Sequence, residues 1–269
     1  MRAAERRSRR AVRREKGLGQ FLVRPDIDGP KVRVGILWFL VAVAAVVFGR
    51  WATTAVWTVL AGFAAAQTTK VWLQVPRTAG APGWSPGLAG AGAAAMVVAA
   101  GVGTASAGVA LLCVPLLVVL IHMASGHKPA VAGAALIGTV LSAVPAMAVV
   151  LVVRTELWSG LFLVVAVSFY DAGYFVSAAE STSRIEGPLT GVIGVLAVTF
   201  GASAIEAAPF DRVTAWLAGA VLAVACPLGQ MVVSAYLPSR DASAPAMRRL
   251  DAYLFAAPLM LVAMWSLTS

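Results

Sequence analysis

Three short stretches hold the side chains of this chain that could do chemistry. The first is Ser168-Phe169-Tyr170-Asp171-Ala172-Gly173-Tyr174-Phe175, continuing through Glu180 to Glu186 and Gly187. The second is Pro227-Leu228-Gly229-Gln230, with Ser234 four residues past Gln230 and so on the same helix face. The third is Arg240-Asp241 followed by Arg248-Arg249-Leu250-Asp251. Guanidinium groups at Arg240, Arg248 and Arg249 can hold the phosphate of an anionic lipid through paired, charge-assisted hydrogen bonds. The plainer alternative is that the loop charges only mark sidedness and that Gln230 only bonds a neighbouring helix.

The elements that must position these groups are apolar. Hydrophobic residues make up 60% of the chain and charged residues 12%, with a mean hydropathy of +0.85. That leaves too little polar surface to cover a water-soluble globule, so lipid must be the main solvent. Of the 21 Lys and Arg, 11 precede Val34. Against four acidic residues they give residues 1–33 a charge of +7, which leaves +2 of the total +9 for the rest. Such an arm beside a membrane span reads as a cytosolic anchor attracted to anionic lipid, at about 1 kcal/mol per cation, rather than as a nucleic-acid binder. The organisation is therefore a basic cytosolic arm over 1–33, expected to be disordered, and one integral membrane domain over 34–269.

A helix rises about 1.5 Å per residue, so about 20 apolar residues cross a hydrocarbon core of roughly 30 Å. The fold expected is an all-α polytopic bundle of about nine transmembrane helices. The spans are Val34 to Gly49, Trp51 to Ala66, Gly87 to Gly103, Ser106 to Met123, Ala130 to Val153, Leu157 to Tyr170, Pro188 to Ala207, Val213 to Leu237 and Ala252 to Thr268. With the amino terminus inside, Lys70, Arg77, Lys128, Arg184, Arg240, Arg248 and Arg249 face the cytosol, and Arg50, Arg154 and Arg212 face outward. That asymmetry obeys the positive-inside rule. It makes this a multi-pass cell-membrane protein with its carboxyl terminus outside. It also brings the three polar stretches to one cytosolic mouth. Pro227 and Gly229 should kink the eighth span.

The remaining singular residues read as structural. Trp51, Trp84 and Trp158 lie at span ends, where an indole can be half wet. Gly187 with Gly191, and Ala134 with Gly138, are small residues four apart that let helices approach. Cys113 and Cys226 read as small packing residues with no disulfide framework. His122 and His127, five apart, do not share a helix face and do not suggest a metal site.

The carboxyl half, roughly 160–269, resembles the phosphatidate cytidylyltransferase (CDP-diacylglycerol synthase) family. That family's Asp-Thr-Gly-Ala-Tyr-Phe stretch is similar to Asp171-Ala172-Gly173-Tyr174-Phe175, with one residue missing. Its Ser-Pro-Lys-Lys-Thr-x-Glu-Gly run aligns with Glu180 to Gly187 and keeps Glu186 and Gly187. The Gly-Asp-Leu-x-Glu-Ser element is similar to Gly229-Gln230-Met231-Val232-Val233-Ser234. The Asp-Arg-x-Asp-Ser-Leu-Leu-Phe-Ala-Ala-Pro ending resembles Arg248-Arg249-Leu250-Asp251-Ala252-Tyr253-Leu254-Phe255-Ala256-Ala257-Pro258.

The resemblance implies a multi-span enzyme that joins CTP to phosphatidate, with Mg²⁺ held by carboxylates to offset the meeting of two anions. Carried over position by position, Asp171, Asp241 and Asp251 are the candidate metal ligands. Arg240, Arg248, Arg249, Gln230, Ser234 and Glu186 are the candidates for holding lipid phosphate or nucleotide. The departures fall on the chemistry: Gln230 and Val233 replace acidic residues, and Arg248 stands where the family has Asp. An amide brings no charge to Mg²⁺, and a guanidinium repels it. The expected function is thus a divergent member in phospholipid biosynthesis that takes CTP and Mg²⁺ if active. Its alternatives are a non-catalytic protein that binds anionic lipid or assists assembly, and, more weakly, a small permease. Membrane lipids are the expected partners, nucleic acid is not, and a homodimer is left open.

Overall fold

In the computed structural model, the described residues are 31–78, 81–180, 185–206, 209–238, 242 and 244–268, and they contain helices and turns only. The basic arm before Lys31, together with Arg240 and Asp241, lies outside them. The helices are α1 (Lys31–Val47), α2 (Arg50–Trp72), α3 (Ser85–Val102), α4 (Thr104–Ala124), α5 (Pro129–Thr155), α6 (Leu157–Glu180), α7 (Glu186–Ile205), α8 (Arg212–Tyr236) and α9 (Tyr253–Thr268). Six of them, α3 to α8, contain stretches long and apolar enough to cross a membrane, while α1 and α9 supply shorter apolar segments. These are the marks of a helical membrane protein. Among the described residues, nine helices therefore form, but six meet the length and hydropathy of a span.

Short connections fold the chain back on itself. Gly49, at φ 91°, takes the left-handed conformation that lets α1 turn into α2 within two residues. Gly103 alone separates α3 from α4, and Glu156 separates α5 from α6 while its carboxylate accepts the Ser159 N–H. Arg154 donates to the Gly101 carbonyl at 3.0 Å, capping the last turn of α3 from the end of α5. Asp211 opens α8 with a capping box: its Oδ1 accepts from the Thr214 N–H at 2.7 Å, and its own N–H donates to Thr214 Oγ1 at 2.9 Å.

Helix α5 is the most enclosed and packs on α2, α3, α4, α6 and α9. Small residues bring the helices together, as the four-residue pairs suggest. Gly191 faces Tyr170 of α6, and Gly138 faces Thr69 of α2, in each case where a Cβ would collide. Trp51, Trp84 and Trp158 are exposed, and the Trp84 ring makes a tilted contact with His122 at 4.8 Å between centroids. Cys226 is buried as expected, but Cys113 is exposed on the outer surface of α4, so it is not a packing residue.

Two helices exceed the expected lengths. Helix α2 runs to Trp72, past the expected end at Ala66, and α6 runs to Glu180, past Tyr170. The polar residues at those points do not end the helix, because they lie against protein. Gly173 of α6 meets the Thr190 backbone of α7, and Ser177 donates to Thr190 Oγ1 at 2.7 Å. Helix α8 likewise continues through Pro227 to Tyr236.

Candidate functional site

Three elements converge on one polar cluster, and each does so for a local reason. Helix α6 carries Tyr170, Asp171 and Tyr174; the two tyrosines, four apart, stack with ring centroids 6.3 Å apart. Helix α8 carries Gly229, Gln230 and Ser234. The third element is the turn before α9, where Met247–Arg249 form a short 3₁₀ helix. This turn satisfies its own backbone: the N–H groups of Arg248, Arg249 and Leu250 donate to the carbonyls of Ala244, Ala246 and Met247. Met247, Leu250 and Ala252 are buried beneath it, and Gln67 of α2 accepts the Ala246 N–H at 2.9 Å.

Glycine fixes the depth of the turn. A Cβ on Gly229 would overlap the Asp251 carbonyl oxygen, so only glycine allows α8 and the turn to touch. Gly229 lies seven residues before the end of α8, about 10 Å along the axis. Asp171 lies nine residues before the end of α6, about 13 Å along it. The cluster is thus recessed below the helix ends rather than set in a surface loop. The turn packs against protein, with Met247, Leu250 and Ala252 buried.

Within the cluster, Tyr170 donates to Gln230 Oε1 at 3.0 Å. Arg248 Nη1 donates to Ser234 Oγ at 2.8 Å and lies 3.8 Å from Asp251 Oδ2. The other carboxylate oxygen of Asp251 accepts the Ala252 N–H at 2.7 Å. Burial pushes the Asp251 carboxyl up to about 7, against the opposing pull of Arg248, the Ala252 N–H and Arg249. Asp171 is an electrostatic neighbour of both Asp251 and Arg249. Arg248 Nη2 is buried and, among the described residues, has no hydrogen-bond partner.

Of the residues singled out from sequence, Asp171, Asp251, Arg248, Arg249, Gln230 and Ser234 therefore come together. Glu186 does not: it stands exposed one turn before Thr190, which packs beyond Asp171 on α6. Tyr170 and Gln67 are the members that sequence reasoning missed. Gln67 lies just past the expected span end at Ala66, and its bond to Ala246 crosses 179 positions of sequence. The Tyr170 bond crosses 60 positions of sequence, and no spacing rule reveals it.

The described donor set does not suit a divalent cation. Two carboxylates face two guanidinium groups, Asp251 already uses both oxygens toward protein donors, and Gln230 Oε1 is taken by Tyr170. Among the described residues no three His, Cys, Asp or Glu side chains gather where they could hold a metal. A half-buried Arg with one buried, open donor can instead form the charge-assisted hydrogen bonds that bind phosphate.

The histidines form a separate, structural contact. A carbonyl only accepts, so His122 Nδ1 donates to Val118 O at 2.7 Å, and Nε2 accepts from Ser85 Oγ at 2.9 Å. His127 sits across Trp84, with its ring 6.4 Å from that of His122. No family model and no curated protein matches this chain.

Proposed function

We propose that this chain is a divergent CDP-diacylglycerol synthase-like membrane protein that binds the phosphate of an anionic lipid through guanidinium groups rather than through carboxylate-held Mg²⁺. In this reading the nine helices all span the membrane, with the amino terminus cytosolic, and the site opens to the inner leaflet. One observation carries it: Arg248 stands where the three family-like elements meet, bonded to Ser234, facing Asp251, and with Nη2 buried and open. Phosphatidate offers such a donor the non-bridging oxygens that water or a metal would otherwise satisfy.

The test uses full-length protein in phosphatidylcholine nanodiscs titrated with fluorescent phosphatidate, in EDTA and in Mg²⁺. Binding should be the same in both. Arg248→Ala with Arg249→Ala should weaken it about tenfold or more, given roughly 1.5 to 3 kcal/mol for a hydrogen bond to a charged group. Binding that disappears in EDTA, or pyrophosphate release from CTP and phosphatidate with Mg²⁺, would overturn this reading in favour of the enzymatic one.

A further inference from the structure

An apolar groove of about 490 Å³ runs along the outside of the bundle between α1 and α2. Trp38 and Val41 form one wall, Val59 and Phe63 the other, and Gln67 with Ala246 closes one end. On α2 the lining extends from Ala55 to Gln67, about 18 Å of helix. Val41, Val59 and Phe63 are exposed, so the groove opens sideways, toward lipid in a membrane protein.

Its closed end is also its charged end. Ala246 lies two residues before Arg248 in the same turn, and the side chain of Gln67 is already engaged by the Ala246 N–H. Arg249 reaches back to α1, with Nη1 3.9 Å from where a Cβ on Gly35 would lie. Gly35 is one helical turn from Trp38 and shares its face, so a guanidinium group stands about 5 Å along α1 from the apolar lining. A cation at one end of a lateral apolar groove matches one ligand chemistry: an anionic head group joined to a hydrocarbon chain.

We infer that the α1–α2 groove seats one acyl chain of an anionic phospholipid whose phosphate is held at Arg249. This rests on the lipid-phosphate reading above and adds to it the path of the hydrocarbon, and with it selection for a lipid over a free phosphate. An acyl chain lying there covers the exposed face of Phe63 and Val59 while its head group stays in the recessed cluster.

Phosphatidate bearing a diazirine midway along one acyl chain, placed in phosphatidylcholine nanodiscs with the full-length protein, tests this. Photocrosslinks are mapped by peptide mass spectrometry, with phosphatidylcholine carrying the same diazirine as the reference. Crosslinks to α1 and α2 around Val41, Val59 and Phe63 should exceed the reference about tenfold, the ratio one retained charge-assisted bond provides. Arg249→Gln should remove that excess. Val59→Trp, at a lipid-facing position that leaves the core intact, should expel the crosslinks from the groove while phosphatidate binding still depends on Arg248. Crosslinks spread evenly around the bundle, or unchanged in Val59→Trp, would overturn the groove and leave the head-group site standing. Displacement of the crosslinks by millimolar inorganic phosphate alone would overturn it in favour of a free-anion site. Loss of any arginine-dependent phosphatidate binding would sink both.

Discussion

Replacing Arg248 by Ala should destabilise the protein in a way that depends on pH, because the partner it leaves behind titrates. The guanidinium lies 3.8 Å from Asp251 Oδ2, and Coulomb's law with an effective dielectric of about 20 gives about 4 kcal/mol at that separation. Arg248 is 24% exposed and Asp251 6%, so water screens the pair and about 2 to 3 kcal/mol is the realistic coupling. That coupling operates only while Asp251 is ionised. With its carboxyl pushed up to about 7, Asp251 is mostly charged at pH 8 and mostly neutral at pH 5. Arg248→Ala should therefore cost about 2 to 3 kcal/mol at pH 8. At pH 5 the cost should be about 1 kcal/mol, the loss of the Ser234 hydrogen bond.

The same carboxyl sets the pH profile of the unaltered protein. Its folded value lies above that of the unfolded chain, so Asp251 holds a proton in the folded state that the unfolded chain releases near pH 4. Its stabilising contribution is complete below about pH 4 and is lost as pH rises through about 7. Asp251→Asn should remove that decline and make the cost of Arg248→Ala equal at pH 5 and pH 8. Unfolding by SDS in mixed micelles, followed by far-ultraviolet circular dichroism for the two single variants and the double variant, measures each quantity. A cost for Arg248→Ala that is the same at both pH values in the native background would refute the pairing argument, as would a coupling below about 0.5 kcal/mol.

Two further substitutions probe how the cluster is held. Gly229→Ala should force α8 away from the Asp251 turn, lowering stability by about 1 to 3 kcal/mol and weakening phosphatidate binding, whereas Gly108→Ala on α4, where a Cβ meets nothing, should leave binding intact; equal behaviour of the two in the titration would contradict the role given to Gly229. Tyr170→Phe removes the donor to Gln230 and should cost about 1 kcal/mol in the SDS assay, a cost that vanishes in a Gln230→Leu background if the two groups are each other's partners.

The local parts of the fold were legible because their causes are local. Gly103, Glu156 and the Gly49-Arg50 turn mark helix breaks in the sequence and mark them in the structure. The shared face of Gln230 and Ser234 followed from their four-residue spacing. What was not legible depended on neighbours distant in the chain. Apolar length ends the sixth span at Tyr170 because a charge in hydrocarbon is costly, yet α6 continues through Asp171 because α7 and the Asp251 turn receive that polar face. Gln67 was invisible for a related reason: its role is to hold the backbone of a turn far along the sequence. Apolar length counted nine spans, but α1, α2 and α9 are too short or too polar to meet the same measure as the other six.

The substitutions at the family-like positions make sense together rather than singly. Placing Arg248 where the resembled family has a carboxylate would leave an unneutralised cation in a recessed site unless a nearby acid remained, and Asp251 remains at 3.8 Å. Holding Asp251 there in turn requires that it not crowd a third carboxylate, and Gln230 supplies an amide whose oxygen is taken up by Tyr170. In the proposed reading each of these residues lowers the electrostatic cost of the next, and together they would favour a phosphate over a divalent cation. The protonation of Asp251 near neutral pH tips the balance further, since it removes one negative charge and leaves both guanidinium groups in place. On that proposal the site would gain nothing from Mg²⁺, so binding in EDTA separates it from an active cytidylyltransferase more sharply than any single substitution does.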